Sequence, residues 1–256
     1  MTLPAHEATQ FDPAAARQME EIISDLGRMY QERNKALQEV ARAHQEALCR
    51  LTIAAEYKDA DSGVHIVRIG FLAGALAKFL GQPPEYALLL RQAAPLHDIG
   101  KMGIPDSVLK KPGAFTSDER LIMNRHPSIG ADILGRSRIA LFQMAAEIAL
   151  THHERWDGRG YPNQRAGKDI PLSGRIVSIV DFYDALTMDR VYRPAFSHEK
   201  ALAMLQAESG QAFDPAIVNC FMEHNMEMLA LRERVTARHM TFADLVNGNS
   251  EPEASW

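Results

Sequence analysis

Cysteine is nearly absent from this 256-residue chain: Cys49 and Cys220 stand far apart, without the CxxC spacing of a zinc or redox motif. That scarcity excludes a disulfide-stapled scaffold and fits a reducing, cytoplasmic setting with no disulfide. Long apolar runs are missing too. None approaches the roughly 18 residues of a membrane span, and the start, MTLPAHEATQ, has neither the basic region nor the apolar core of an export signal. Net positive charge is also lacking. With 28 Lys and Arg against 33 Asp and Glu, the formal charge of -5 argues against a general nucleic-acid or DNA binder, while leaving room for a local basic pocket around a small phosphate ligand. No alternating pattern marks a strand, and no repeat is present. The expectation is an all-α protein, whose length and 46% hydrophobic residues allow one large domain, or one domain with a helical appendage.

Beyond Pro13, as far as Glu56, there is no proline or turn cluster. Apolar residues recur at Ile22, Leu26, Met29, Leu37, Val40, Ala47, Leu51 and Ala54, mostly three or four apart, which predicts one long amphipathic helix. Gly27 is its weak point, and Arg33 and His44 interrupt the apolar seam. The helix is either a coiled coil that dimerises the chain and carries a signal, or a helix packed on its own domain. Its length favours the first, because it would overhang a fold of this size. The stretch from Glu56 to His65 then breaks the helix with Asp59, Asp61, Ser62 and Gly63, and a new one runs through Ile66, Ile69, Leu72, Leu76 and Phe79. His65 falls on its first turn, and Asp61 is a cap or a ligand.

Chemistry gathers further on. In Leu96-His97-Asp98-Ile99-Gly100-Lys101 an imidazole and a carboxylate sit side by side at the end of the apolar run from Tyr86, and Lys101 adds a mobile positive charge. Such a pair offers nitrogen and oxygen to one ion with an anion beside it. Alternatively, it is a helix C-terminus with a His on the dipole. Thr116 and Glu119 match a capping box for a helix to about Arg125, which His126-Pro127 is expected to end. The apolar helix from Ile139 to Thr151 closes on His152-His153-Glu154, a poor choice for a core and a good one for a metal.

After Pro171 another helix sets Asp181 between Val180 and Phe182, where a desolvated carboxylate needs a cation or an Arg, and Asp184 shares its face. Arg190 and Arg193 follow as helix-end charges or as a fork for phosphate. Ser197 caps a helix to about Glu208, a further one is expected from Pro215 to Arg234, and the tail from Thr236 holds one short helix before fraying.

From Leu51 to about Glu223 this constellation resembles an HD-GYP domain, a subgroup of the HD metal-dependent phosphohydrolases. The likeness rests on His97-Asp98-Ile-Gly-Lys101, on His152-His153-Glu-Arg-Trp-Asp-Gly-Arg-Gly160-Tyr161-Pro162, and on Asp181-Phe-Tyr-Asp184-Ala-Leu. It implies an HD-domain helical bundle over 51–235, preceded by a linker or dimerisation helix over 1–50 and followed by a tail over 236–256. It implies two divalent ions, iron or else manganese. His65, His97, Asp98 and Asp181 would hold one; His126, His152 and His153 would hold the other, with Asp98 bridging. A third ion in some members uses a glutamate four residues before the first His, where this chain has the shorter Asp61. The implied reaction is hydrolysis of cyclic di-GMP to pGpG, GMP or both, with Asp98 and Lys101 at the reacting phosphate and Lys101, Arg190, Arg193 and Tyr161 as substrate contacts. The Gly160-Tyr161-Pro162 loop is also linked in that family to diguanylate cyclase domains. A regulatory module that binds nucleotide or cyclase with little turnover is the alternative.

Overall fold

The proline-free run after Pro13 makes α1 (Pro13–Asp59), a single helix of 47 residues, about 70 Å long at 1.5 Å per residue. The computed structural model describes residues 13–59, 63–189, 194–241 and 244–245. Asp61, Ser62, Arg190, Tyr192 and Arg193 lie outside them. The chain divides into two compact units, one up to Ala47 and one from Leu48 onward. In the first unit, Met19, Ile22, Leu26, Met29, Leu37 and Val40 are all exposed.

The second unit is built around α2 (Val64–Phe79), which is apolar on every side and accordingly buried: Ile66, Ile69, Leu72 and Leu76 have no exposed surface. Helices α3 (Pro84–Ala93), α8 (Leu172–Leu186) and α11 (Asn225–Ala237) pack on it. Helix α7 (Ala140–Thr151) packs on α3, α8 and α6 (His126–Leu134). Leu90, Ile148, Ile176, Val180 and Tyr183 fill the space between them. A smaller apolar cluster of Ile104, Val108 and Leu109 joins α4 (Asp106–Leu109) to α5 (Ser117–Met123). Helices α9 (His198–Ala207) and α10 (Pro215–Glu223) complete the unit. Among the described residues there is no strand, only an isolated bridge between Ser209 and Phe213. The all-α expectation holds, with the long N-terminal helix in place.

Several boundaries differ from the sequence reading. His97 and Asp98 do not end an α-helix. Pro95, which has no N–H, stops α3 at Ala93, so the pair sits between the 3-10 turns Ala94–Leu96 and Ile99–Gly103. His126-Pro127 opens α6 instead of ending α5, because a proline in a first turn lacks only an N–H that the helix leaves unbonded anyway. The single helix expected from Pro215 is two helices. The Asn225 side chain donates to the Met222 carbonyl at 2.6 Å, and the His224 ring stacks on Phe79 with centroids 3.9 Å apart, so the chain turns there. The segment after Thr236 sends Met240 and Leu245 into a cluster with Ile66, Val67, Phe71 and Val235. The caps at Thr116, with its reciprocal Glu119, and at Ser197 are as expected.

One close approach positions the later chemistry. Gly100 lies against the start of α6, and a Cβ there would run into the His126 carbonyl and the Gly130 amide nitrogen. Only glycine lets the turn that carries Asp98 meet the helix that carries His126. Gly100→Ala is expected to lower the unfolding free energy by about 1–3 kcal/mol in chemical denaturation. Gly27→Ala, where a Cβ meets nothing within 4 Å, should instead strengthen α1 by up to about 1 kcal/mol.

Candidate metal centre

Five chain segments deliver imidazoles and carboxylates to one place. His65 comes from the first turn of α2, His97 and Asp98 from between the two 3-10 turns, His126 from the start of α6, His152 and His153 from the end of α7, and Asp181 from α8. They fall into two groups, Asp98 with His126, His152 and His153, and His65 with His97 and Asp181. Within each group the potential ligand atoms lie within 4.8 Å of one another.

Asp98 joins the groups. Its Oδ1 is 3.2 Å from His126 Nε2 and 3.5 Å from His152 Nε2, and its Oδ2 is 3.3 Å from His97 Nε2. On the other side Asp181 Oδ1 lies 3.5 Å from His65 Nε2 and 3.8 Å from His97 Nε2.

In His65, His97, His126 and His152 the second ring nitrogen fixes the orientation. A carbonyl can only accept, so Nδ1 of His97 donates to Ala94, that of His126 to Met123, and that of His152 to Ala149, at 3.0, 2.8 and 2.9 Å. In each ring the Nε2 lone pair is left facing the centre. His65 does the same through a carboxylate: its Nδ1 is 2.8 Å from Asp184 Oδ2. Asp184 is fully buried and also accepts two bonds from Arg68, at 2.6 and 2.9 Å, and one from Arg232 at 3.1 Å. Imidazoles steered from behind by carbonyls or a carboxylate are the arrangement that metal-ligating histidines need.

At His152 and His153 electrostatics agree with that role. Burial lowers the pKa of His152, and burial with the neighbouring His152 and His126 rings takes His153 well below the usual imidazole value. Both are therefore neutral ligands near pH 7. Burial opposes the charge on Asp98, yet Lys101 and then the surrounding imidazoles, His97 first, outweigh it and hold the carboxyl well below the ordinary range. Lys101 Nζ is 2.9 Å from Asp98 Oδ2. The buried Asp98 Oδ1 nevertheless has no hydrogen bond of good geometry, although two ring nitrogens crowd it. An acceptor oxygen and several Nε2 lone pairs converging without a proton between them fit a shared cation. The donor set of imidazoles and carboxylates without thiolate suits a divalent transition metal.

The loop after His153 is fixed by two features. Glu154 is buried and accepts from the backbone N–H groups of Asn163 and Arg165, at 2.7 and 3.0 Å. Gly160 packs so tightly on Glu154 and Arg155 that no Cβ would fit. Tyr161 is thereby laid on His153, with ring centroids 4.8 Å apart and planes 25° from parallel.

All the expected ligands within the described residues therefore converge, and Lys101 and Tyr161 stand beside them. Asp181 is only partly buried, and the desolvated carboxylate of α8 is Asp184. Arg68, Arg232 and Glu154 were not singled out from the sequence. Arg68 had a readable signal, an Arg amid Ile66, Val67 and Ile69 that needs a buried carboxylate. Arg232 had none.

The Asp184 network gives a stability test on metal-free protein. Asp184→Asn leaves Arg68 without its buried counter-charge and is expected to cost about 3–5 kcal/mol near neutral pH. Burial raises the Asp184 pKa, but the His65 and Arg68 bonds lower it further, to below its ordinary value of 3.8. For a depressed carboxyl the contribution is complete above the unfolded value and is lost as pH falls through the folded one. Denaturation at a series of pH values should show wild-type stability declining below about pH 4, and Asp184→Asn should lack that part of the decline.

Comparison with known proteins accords with this geometry. A cyclic di-GMP phosphodiesterase of Vibrio cholerae serotype O1 is 46% identical over 206 residues, which is 75% of this chain and 42% of that protein. The cyclic di-GMP phosphodiesterase response regulator RpfG of Xanthomonas campestris pv. campestris is 41% identical over 213 residues, 83% of this chain and 56% of that one. A 3'3'-cGAMP-specific phosphodiesterase 2 of V. cholerae is 42% identical over 187 residues, 73% and 36% of the two chains. The chain thus spans roughly half the length of these relatives, or less. Among solved structures, the V. cholerae cyclic GMP-AMP specific phosphodiesterase V-cGAP3 shares the fold, with a TM-score of 0.55 at 20% identity over 81% of this chain and 61% of that one. A family model described as HD domain matches residues 17–217, most of the chain, and the chain belongs to that family.

Proposed function

We propose that this chain is a metal-dependent phosphodiesterase of the HD-GYP subgroup that hydrolyses cyclic di-GMP to pGpG, GMP or both. The observation that carries the reading is Asp98, with one oxygen toward His126 and His152 and the other toward His97. His65, His97 and Asp181 would hold one divalent ion, His126, His152 and His153 the other, and Asp98 both; iron fits this donor set, with manganese as the alternative. When bound, such a pair supplies the Lewis acidity that polarises a phosphodiester and acidifies water for in-line attack. Asp61 is a candidate ligand for a third ion.

The chain's own residues bind and orient. Lys101 Nζ, beside Asp98, places a positive charge where negative charge builds on the phosphate. Burial pushes the Tyr161 phenol up, so its hydroxyl stays a donor at the rim of the site. Arg190 and Arg193, which follow α8 in the sequence, grip the phosphates of the nucleotide. The loop pinned by Glu154 doubles as the surface for a diguanylate cyclase domain. The exposed apolar residues of α1 from Met19 to Val40 pair with a second copy, making the protein a dimer. No described helix is long and apolar enough to cross a membrane.

A second reading of the substrate has a specific basis, since one relative of similar identity is named for 3'3'-cGAMP. Protein loaded anaerobically with Fe(II) or Mn(II) should convert cyclic di-GMP faster than 3'3'-cGAMP when the two compete. The reverse order would favour the second reading, and tight binding with no product would favour a regulatory module. Lys101→Ala is expected to cost roughly 10²–10³-fold in kcat, and a chelator should abolish turnover. Light scattering of the chain begun near Ala47 should report a monomer; a dimer of unchanged size would contradict pairing through α1.

A further inference from the structure

Helix α11 lies beyond residue 217, where the family match ends, yet it touches the carboxylate that orients one of the candidate ligands. Its Arg232 donates through Nε to Asp184 Oδ1 at 3.1 Å and through an η nitrogen to the Thr187 carbonyl at 2.5 Å. Asp184 passes the constraint on, because its other oxygen accepts His65 Nδ1 at 2.8 Å. Thr187 is the residue that ends α8, the helix carrying Asp181 three residues before Asp184. One guanidinium therefore grips the carboxylate behind one candidate ligand and the end of the helix that bears another. Both ligands belong to the same group, His65 with His97 and Asp181. Arg232 is largely buried, with 15% of its side chain exposed, so its fork is held in place.

We infer that Arg232 is a positioning residue that tunes one of the two metal sites, the one built by His65, His97 and Asp181, and leaves the other alone. The physical argument is asymmetry. Arg68 comes from α2 itself and satisfies Asp184 at two points, so it ties the carboxylate to the helix that His65 is already on. Arg232 ties Asp184 and the α8 terminus to α11, which itself packs on α2, so it steadies α8 against His65 from a second side. Among the described residues, His126 and His152 of the second group show no comparable dependence. His126 and His152 are oriented by carbonyls of their own chain segments, three residues upstream. Loosening α11 leaves those bonds in place. Loss of an outer partner of a ligating histidine typically weakens metal binding about 10–100-fold, and Arg232 acts one bond further out, so the low end of that range applies.

The inference rests on the proposed two-metal reading, and Mn(II) alone is the probe that separates the two. Mn(II) is titrated into metal-free protein without substrate, and the free ion is read by its electron paramagnetic resonance signal at room temperature. Wild type is expected to take up two equivalents. Arg232→Met should keep one site at wild-type affinity and bind the other about tenfold more weakly. Arg232→Lys, which keeps the charge without the fork, should lie between them. Glu233→Gln, at an exposed neighbour on the same helix, should match wild type. If Arg232→Met lowers the melting temperature while both Mn(II) affinities stay unchanged, Arg232 only ties α11 to the core and the inference is overturned. Equal weakening at both sites overturns it as well. If Arg232→Met does not fold, Arg232→Lys carries the test: several-fold weakening at one site supports the inference, and wild-type affinity at both overturns it. Wild type that binds no Mn(II) overturns the metal reading itself, and the inference with it.

Discussion

Asp98 is the constraint on which the site depends. A carboxylate this crowded and buried stays ionised because the Lys101 ammonium beside it offsets the cost of burial. Its two oxygens face two different groups of histidines, so any shift of the turn that bears it would separate both groups at once. The fold keeps that turn fixed by bringing it against α6 at Gly100, where no side chain fits. The apolar packing of α2, α3, α7 and α8 then sets the distance between the helix ends that supply the remaining candidate ligands.

Polar groups in such a core are costly unless each has a partner, and here the partners are arranged by direction. Backbone carbonyls at the ends of 3-10 and α-helical turns take the Nδ1 protons of His97, His126 and His152, and Asp184 takes that of His65. The outward-facing nitrogens are used for orientation and the inward-facing ones are kept as lone pairs. For His126 and His152 a helix terminus suits this task because its last carbonyls have no partner within the helix. The same logic extends to the loop after His153, where Glu154 satisfies two backbone N–H groups and thereby holds Tyr161 over the His153 ring.

Much of this was legible from local pattern. An apolar helix closing on His152-His153 contradicts the ordinary preference for apolar residues in a core, so the exception reads as chemistry. The His97-Asp98 pair was legible for the same reason, although Pro95 gives it a setting between two 3-10 turns. His126 was harder, because His-Pro fits a helix end as well as a helix start. Only its packing against Gly100 decides between them. The break at His224 depends in part on stacking with Phe79 from a distant helix, which no local pattern announces. Arg232 pairs with a carboxylate 48 residues away, and such pairings leave no periodicity to read. Positions that obey local rules were visible in advance, and those set by tertiary contact were not.

Seven side chains from five chain segments are proposed to share two ions through Asp98. Anomalous diffraction at the iron and manganese edges, on crystals grown without oxygen, tests it most directly. The expected result is two peaks, one ringed by residues 65, 97 and 181 and the other by 126, 152 and 153, with Asp98 touching both. A single peak that leaves one group without metal, or peaks bound elsewhere on the chain, would contradict it.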